Sequence, residues 1–255
     1  MVAITNRAIA FRRSDHRAGR GFTLAEILVA LGIMAIGMAM VAAIFPAALA
    51  FNKSSTNDTR GMIICENGFT LSEGALTTKI VDKSAPTLLT VLADEATESV
   101  TIDSIDVKIL DRNKQHYPTG ESDVRTGFVM MARNGGGSVY QLVTVAYRKT
   151  DKTHLARAMG VTCTVSGKNV TVSSGKLKIG SPLINRKNGE FMIIDSMDTT
   201  GTKGTLNANR PTTAMSDGNQ FYIIAERSSS NGDISELRQS PAIQTMSKVT
   251  GLKQR

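Results

Sequence analysis

One uncharged stretch constrains this chain more than any other feature of its sequence. Residues 27–51 form a run of 25 amino acids without a charge. As a helix this run would be about 37 Å long, at about 1.5 Å per residue, and the hydrocarbon core of a bilayer is about 30 Å thick. The run therefore predicts a transmembrane helix. We expect a kink or local melting near residues 40–45, because Pro46 has no amide hydrogen to donate.

Charge before the apolar run predicts its orientation. Residues 1–21 contain five arginines and one acid, Asp15, and so carry half of the formal charge of +8. Positive residues collect on the cytoplasmic side of membrane helices, so we expect a cytoplasmic N-terminus and the bulk of the chain outside. The remaining positive charge is spread along the sequence and aromatic residues make up 5%. The sequence therefore holds no strong nucleic-acid signal.

General properties of the leader and the apolar run leave two explanations open. A plain signal anchor has this pattern. A secretory signal peptide also fits, because Ala48, Leu49 and Ala50 offer a small-x-small cleavage site at the end of the run. Against the signal peptide, the run is about twice the usual length of 7 to 15 residues.

The junction between leader and run supplies a third explanation. Residues 21–26 read GFTLAE, directly after the basic leader and directly before the apolar run. This arrangement resembles the processing signature of type IV prepilins and type II secretion pseudopilins. The resemblance implies that a membrane-embedded prepilin peptidase cuts after Gly21 and that the new amine of Phe22 is methylated. It also identifies Glu26 as the glutamate that this family uses in assembly.

The carboxylate of Glu26 supports that explanation on physical grounds. A carboxylate at the start of a membrane helix is costly and marks a functional candidate. After cleavage its nearest base is the amine of Phe22, four residues earlier and, in a helix, on the same face. In a packed bundle the amine of one subunit can instead meet Glu26 of its neighbour. The alternative is a glutamate that only stabilises the helix N-terminus.

The whole sequence predicts an α+β protein with a pilin-like order of parts: a long N-terminal transmembrane helix followed by an antiparallel β-rich globular domain, with a second small β-sandwich or barrel. Individual strands are predicted at residues 99–110, 127–132, 138–147, 160–165, 169–173, 177–179, 190–194, 204–208 and 220–226. The predicted parts are the cleaved leader 1–21, the transmembrane helix 22–51, a helix extension 52–80, an antiparallel sheet 97–150, a second β-rich region 159–227 and a polar tail 228–255 with at most one short helix or edge strand.

The sequence offers few candidates for catalytic or metal-binding residues. His116 and His154 have no Cys, His or Glu at metal-ligand spacing, and no hydrolase, zinc-protease or phosphate-binding motif occurs. Asp195 and Asp198 could form a loose Ca²⁺ loop, but a polar hairpin explains them better. We therefore expect no enzyme, no catalytic residue, no metal and no cofactor.

Cys65 and Cys163 are the only two cysteines. Both are expected on the oxidising side of the membrane, where a disulfide can persist. Both also lie beside apolar residues, so they can equally be small buried apolar side chains. The sequence leaves both possibilities open.

These patterns predict a structural subunit, minor or atypical, of a type IV pilus or a type II secretion pseudopilus. Its expected partners are a prepilin peptidase, other pilin or pseudopilin subunits and the bacterial inner membrane, with the globular domain periplasmic or extracellular. The alternative is an exported or membrane-anchored β-domain that binds a ligand or a polysaccharide. A mature N-terminus at Phe22 favours the first hypothesis, and one at Phe51 favours the second.

Overall fold

A computed structural model describes residues 22–77, 88–93, 100–102, 105–107, 126–136, 139–148, 154–207, 213, 215–228 and 242–251. The chain divides into two compact units, Met1–Lys53 and Ser54–Arg255. A single helix, α1, spans Leu24–Thr77 and is shared between them. The predicted long N-terminal helix is thus confirmed. The predicted melting near residues 40–45 is wrong, because the chain is helical throughout this stretch and Pro46 lies within the helix.

Strands make up most of the second unit. The described residues contain β1 (Thr90–Ala93), β2 (Val100–Ile102), β3 (Ile105–Val107), β4 (Thr126–Gly136), β5 (Val139–Arg148), β6 (His154–Ser166), β7 (Asn169–Ser174), β8 (Pro182–Asn185), β9 (Phe191–Met197), β10 (Lys203–Leu206), β11 (Gln220–Ser228) and β12 (Ala242–Gly251). All of their pairings are antiparallel. The predicted antiparallel β-rich domain is therefore confirmed.

Four strands form an open sheet in the order β1-β4-β5-β12. The single strand predicted over 99–110 is wrong, because β2 and β3 pair with each other, with Val100 opposite Val107. Two polar residues, Asp103 and Ser104, separate the apolar parts of that segment, and such residues favour turns over strands.

The C-terminal segment contains an edge strand, one of the two elements that its sequence allowed. β12 is a ten-residue strand that pairs along β5, from Ala242 opposite Tyr147 to Gly251 opposite Val139. The bounds of this strand were hard to predict because half of its residues are polar and it lacks a strict alternation. Residues 242–251 complete the open sheet.

The remaining strands close into a six-stranded barrel in the order β10-β7-β6-β11-β8-β9. Of the two predicted architectures, sandwich and barrel, the structure has the barrel. Its first and last residues, His154 and Ser228, are directly paired. The barrel is therefore an insertion between β5 and β12, which are neighbours in the sheet.

Two details of the barrel were predicted incorrectly. The short strand β8 was missed, because its four residues begin with proline and give almost no periodic signal. Residues 177–179 were predicted to be a strand but do not form one. Instead the amide of Leu177 makes a single bond to the carbonyl of Gly201, at 2.8 Å, and its side chain is buried in the barrel.

The barrel encloses a core of its own. Its inward-facing side chains alternate with exposed ones, as the strand period requires. The buried members are Val161, Cys163, Val165, Val170, Leu177, Leu183, Met192, Ile194, Leu206, Met215, Phe221, Ile223 and Ala225. All of them come from within the insertion, so this core needs no side chain from the helix or the open sheet.

Helix α1 packs on one face of the open sheet through a stripe of mostly small residues. The buried positions of its second half repeat every three or four residues: Gly61, Ile64, Cys65, Gly68, Phe69 and Ser72. This spacing places them on one helix face. A Cβ atom at Gly68 would lie 2.7 Å from Cγ2 of Thr144 on β5. The glycines that weaken the helical pattern of the sequence are therefore the positions where helix and sheet approach most closely.

The barrel covers the opposite face of the sheet. Val129, Val143 and Val145 of the sheet form one buried cluster with Ile184 and Ile224 of the barrel. β4 and β5 are therefore buried on both faces, which explains their nearly continuous apolar sequences. Helix, sheet and barrel form three successive layers of the second unit.

The close helix contact at Gly61 predicts a large effect of a small substitution. A Cβ atom there would lie 2.5 Å from Cβ of Gln244, an atom fixed by the backbone of β12. Gly61→Ala should raise helix propensity by about 1 kcal/mol, yet we expect a net destabilisation of about 1–3 kcal/mol from overpacking. Denaturant unfolding of the detergent-solubilised chain measures it. Gly32→Ala is the matched control, since no atom lies within 4 Å of that Cβ position, and equal stability of the two variants would contradict the packing described.

Candidate processing and assembly site

The start of α1 is built as a reciprocal cap. The amide of Thr23 donates to Oε2 of Glu26 at 2.8 Å, and its hydroxyl donates to the same oxygen at 2.9 Å. In return the amide of Glu26 donates to the hydroxyl oxygen of Thr23 at 3.3 Å. This capping box satisfies backbone amides that have no partner within the helix. Neither residue belongs to the leader, so the cap can survive its removal.

Thr23 was missed in the sequence prediction, although a signal for it was present. A Thr three residues before a Glu, directly ahead of an apolar run, is the sequence pattern of a capping box. The cap holds Oε2 of Glu26, whereas Oε1 accepts no hydrogen bond from the described residues. One oxygen of an exposed carboxylate at the start of an apolar helix is therefore left for another donor.

The structure places Phe22 before the helix. Because α1 begins at Leu24, Phe22 and Glu26 do not share a helix face, and that premise of the sequence prediction is wrong for the unprocessed chain. Phe22 is 83% exposed. Gly21 and the rest of the leader lie outside the described residues, so the cleavage and methylation positions stay predictions.

The first half of α1 exposes apolar side chains on all sides. Every residue from 22 to 53 is exposed in the isolated chain, including the large side chains of Leu28, Ile36 and Phe45. Water is a poor solvent for such a surface. By length and composition this helix can cross a membrane.

Comparison with known protein families adds the decisive observation. A family model described as the prokaryotic N-terminal methylation motif matches residues 16–42. The chain carries the prokaryotic N-terminal methylation motif. This motif is the signature of type IV prepilins and pseudopilins, so the resemblance seen in the sequence is confirmed. The methylation motif contains the capping box, and together with the apolar helix it supports membrane anchoring and assembly of an exported, pilin-like protein.

The methylation motif ends at residue 42 and says nothing of the barrel or the sheet. No curated protein and no solved structure matches the chain. The function of the globular domain therefore has to be argued from its own geometry.

The second candidate site, near Asp198, is a turn that its own hydrogen bonds satisfy. The carboxylate of Asp198 accepts bonds from the hydroxyls of Thr200 and Thr202 and from the amides of Thr202 and Lys203, at 2.8–3.2 Å. Desolvation raises the pKa of Asp198, but the four hydrogen bonds lower it by more, and the result is a pKa of about 2. No group of three His, Cys, Asp or Glu suited to a metal occurs among the residues that the structure describes. The polar-hairpin interpretation of this loop agrees with these contacts.

Both cysteines are free and buried, in different cores. Cys65 lies between α1 and the sheet, where its Sγ is 3.6 Å from the carbonyl oxygen of Thr144, and Cys163 lies inside the barrel. Of the two possibilities left by the sequence, the structure has small buried side chains and not the disulfide. Burial raises the pKa of Cys163 to about 12.

The burial of both cysteines predicts how they react with a thiol-labelling reagent. At pH 8 a thiol with a pKa near 12 is ionised to about one part in ten thousand, and the thiolate is the reactive form. We expect an alkylating reagent to leave both cysteines of the native chain unmodified and to label both after denaturation without reductant. Mass spectrometry counts the labels, and an unlabelled denatured chain would demonstrate a disulfide instead.

Proposed function

We propose that the chain is a structural subunit, minor or atypical and not an enzyme, of a type IV pilus or type II secretion pseudopilus. A prepilin peptidase cuts between Gly21 and Phe22, the amine of Phe22 is methylated, and the processed chain assembles through α1. Before assembly, α1 anchors the subunit in the bacterial inner membrane, with the leader in the cytoplasm and the globular domain on the other side. The observation that carries the proposal is the methylation motif, continuous with an entirely exposed apolar helix.

The geometry at the helix start suggests how one subunit recognises the next. Cleavage creates a positive amine on Phe22, just before a helix N-terminus that itself carries partial positive charge. That amine is unfavourable next to its own helix and favourable next to a carboxylate. Because Oε2 of Glu26 is occupied by Thr23, the remaining oxygen of a neighbouring subunit's Glu26 is a suitable acceptor. Such a pair, shielded from water among packed helices, would fix the axial register of one subunit on the next.

The size of the globular domain supports a minor or atypical role. The barrel insertion covers the sheet face that α1 does not, and it adds residues 154–228 to the sheet-and-helix scaffold. A subunit with such an addition needs room at the surface or tip of a filament.

Co-expression with and without a prepilin peptidase tests this function. With the peptidase and its filament machinery, we expect the chain at mature size in sheared filaments. Without the peptidase, we expect only full-length chain in the membrane. An exported ligand-binding β-domain would instead be cut and released in both strains, and that result would contradict the proposal.

A further inference from the structure

Positive charge in the part of the chain that follows the leader is concentrated in the barrel. Residues 154–228 contain nine Lys or Arg and five Asp or Glu, a surplus of four. The other residues of 22–255 contain equal numbers of basic and acidic side chains. The surplus of the processed chain therefore resides in the insertion, where the sequence scatters it over many positions.

The fold brings part of this charge together along two neighbouring strands, β7 and β10. Lys203 begins β10, where it is paired with Thr171 of β7. At one end of this pair of strands the carbonyl of Lys168 accepts a bond from the amide of Leu206, at 2.8 Å. Leu206 lies three positions after Lys203, so about 10 Å of strand separates Lys203 from the backbone of Lys168.

The other end of the same strand pair adds two more lysines. The backbone of Leu177 is bonded to Gly201, and a Cβ atom at Gly201 would lie 3.5 Å from Cβ of Lys176. Lys178 follows on the other side of Leu177. We call Lys168, Lys203, Lys176 and Lys178 the lysine strip. The backbone bonds place the first three in that order beside β7 and β10, and Lys178 lies close enough to Lys176 to be affected by its charge.

The four lysines have no acidic side-chain partner among the described residues. Within the part of the chain that the structure describes, none of them forms an ion pair, whereas Lys187 pairs with Asp217 and Lys248 with Glu73, at 2.5 and 2.9 Å. Lys168 and Lys203 are exposed, and Lys176 and Lys178 are half-buried. Two acids, Asp195 and Asp198, lie on β9 and the turn after it, and the carboxylate of Asp198 accepts a bond from the amide of Lys203. These segments together therefore hold four lysines and two acids.

Lys178 shows that this charge is not compensated locally. Burial, together with the positive charge of Lys176, lowers the pKa of its ammonium group. An anion bound beside Lys178 would raise this pKa again, because an opposite charge favours the protonated form of the ammonium group.

We propose that the lysine strip binds the phosphate backbone of double-stranded DNA without sequence preference. Charge complementarity selects a polyanion, and DNA carries one negative charge per about 1.7 Å of its axis. β7 and β10 contain no aromatic residue and are rich in Ser and Thr. They therefore lack a stacking surface for single-stranded bases or sugar rings, whereas the exposed hydroxyls of Thr171 and Ser174 suit phosphate oxygens. The inference goes beyond the proposed function and does not depend on it, since an anchored barrel would bind DNA without a filament.

Salt-dependent binding of a duplex by the detergent-solubilised full chain tests this inference. The test variant is Lys176→Gln with Lys203→Gln. The matched control is Lys187→Gln with Lys248→Gln, which removes the same charge from lysines that already have partners. The five leader arginines are present in every variant, so a difference between variants comes from the substituted lysines.

For the test variant we expect an affinity at least about tenfold lower near 0.1 M salt. We also expect the slope of log K against log salt to be shallower by about 1.8, or about 0.9 for each phosphate that a lysine no longer neutralises. The control should bind like the original chain. An equal decrease in affinity for both variants would overturn the proposal, as would tighter binding of single-stranded DNA or of an acidic polysaccharide than of the duplex. Thermal melting of each variant verifies that the barrel remains folded.

Discussion

Gly21→Leu is expected to leave the chain at full length in cells that contain a prepilin peptidase. The peptidase needs a small residue on the leader side of the bond, and leucine adds a branched side chain where glycine has none. The unprocessed subunit keeps the five arginines of its leader, so we expect it to stay in the membrane and to be absent from sheared filaments. Immunoblotting of membrane and filament fractions measures both effects.

Gly19→Leu is the matched control for this prediction. It makes the same substitution in the same leader, two residues from the bond, and should be cut normally. A mature-sized band from Gly21→Leu would show that the bond lies elsewhere or that another peptidase removes the leader. Loss of processing in both variants would show a general defect of the leader instead.

Glu26→Leu is expected to be processed normally and to lose incorporation into filaments by at least about tenfold. Removing one partner of a desolvated ion pair costs about 3–5 kcal/mol, because the other charge is left unpaired. The proposed cut lies on the other side of Phe22, so we expect cleavage not to need this carboxylate. The ratio of mature chain in filaments to mature chain in the membrane measures the effect.

The capping box makes a second pair of variants necessary. Glu26→Gln keeps an oxygen that can accept the bond from Thr23 but removes the charge, whereas Thr23→Val removes the hydroxyl and keeps the charge. If the charge acts between subunits, Glu26→Gln should fail to assemble and Thr23→Val should assemble. The reverse result would show that Glu26 serves only to start its own helix.

Much of the N-terminal segment, residues 1–51, could be predicted from the sequence because its signals are local. The basic leader, the residues around Gly21 and the run without charges follow one another directly in the sequence. The capping box is equally local, because Thr23 and Glu26 are three positions apart. Local patterns also predicted β5, β7 and β11 within one or two residues.

The remaining features of the fold could not be predicted, because they depend on contacts between distant parts of the chain. Val129 and Val145 are buried because a barrel folded from later residues covers them, and no window around either residue contains that information. β12 becomes a strand because β5 offers it a partner about 100 positions earlier. The lysine strip exists only after β10 has paired with β7, which brings Lys203 beside residues more than 25 positions before it.

The mass of the N-terminal peptide of the chain, isolated from cells that contain a prepilin peptidase, tests whether the chain is processed as a prepilin. We expect a peptide that begins at Phe22 and carries one methyl group on its amine. A peptide that begins at Phe51 would mean that the apolar run is a removed signal peptide and that no helix remains for assembly. A peptide that begins at Met1 under the same conditions would mean a permanent anchor, and either result would exclude assembly through a processed α1.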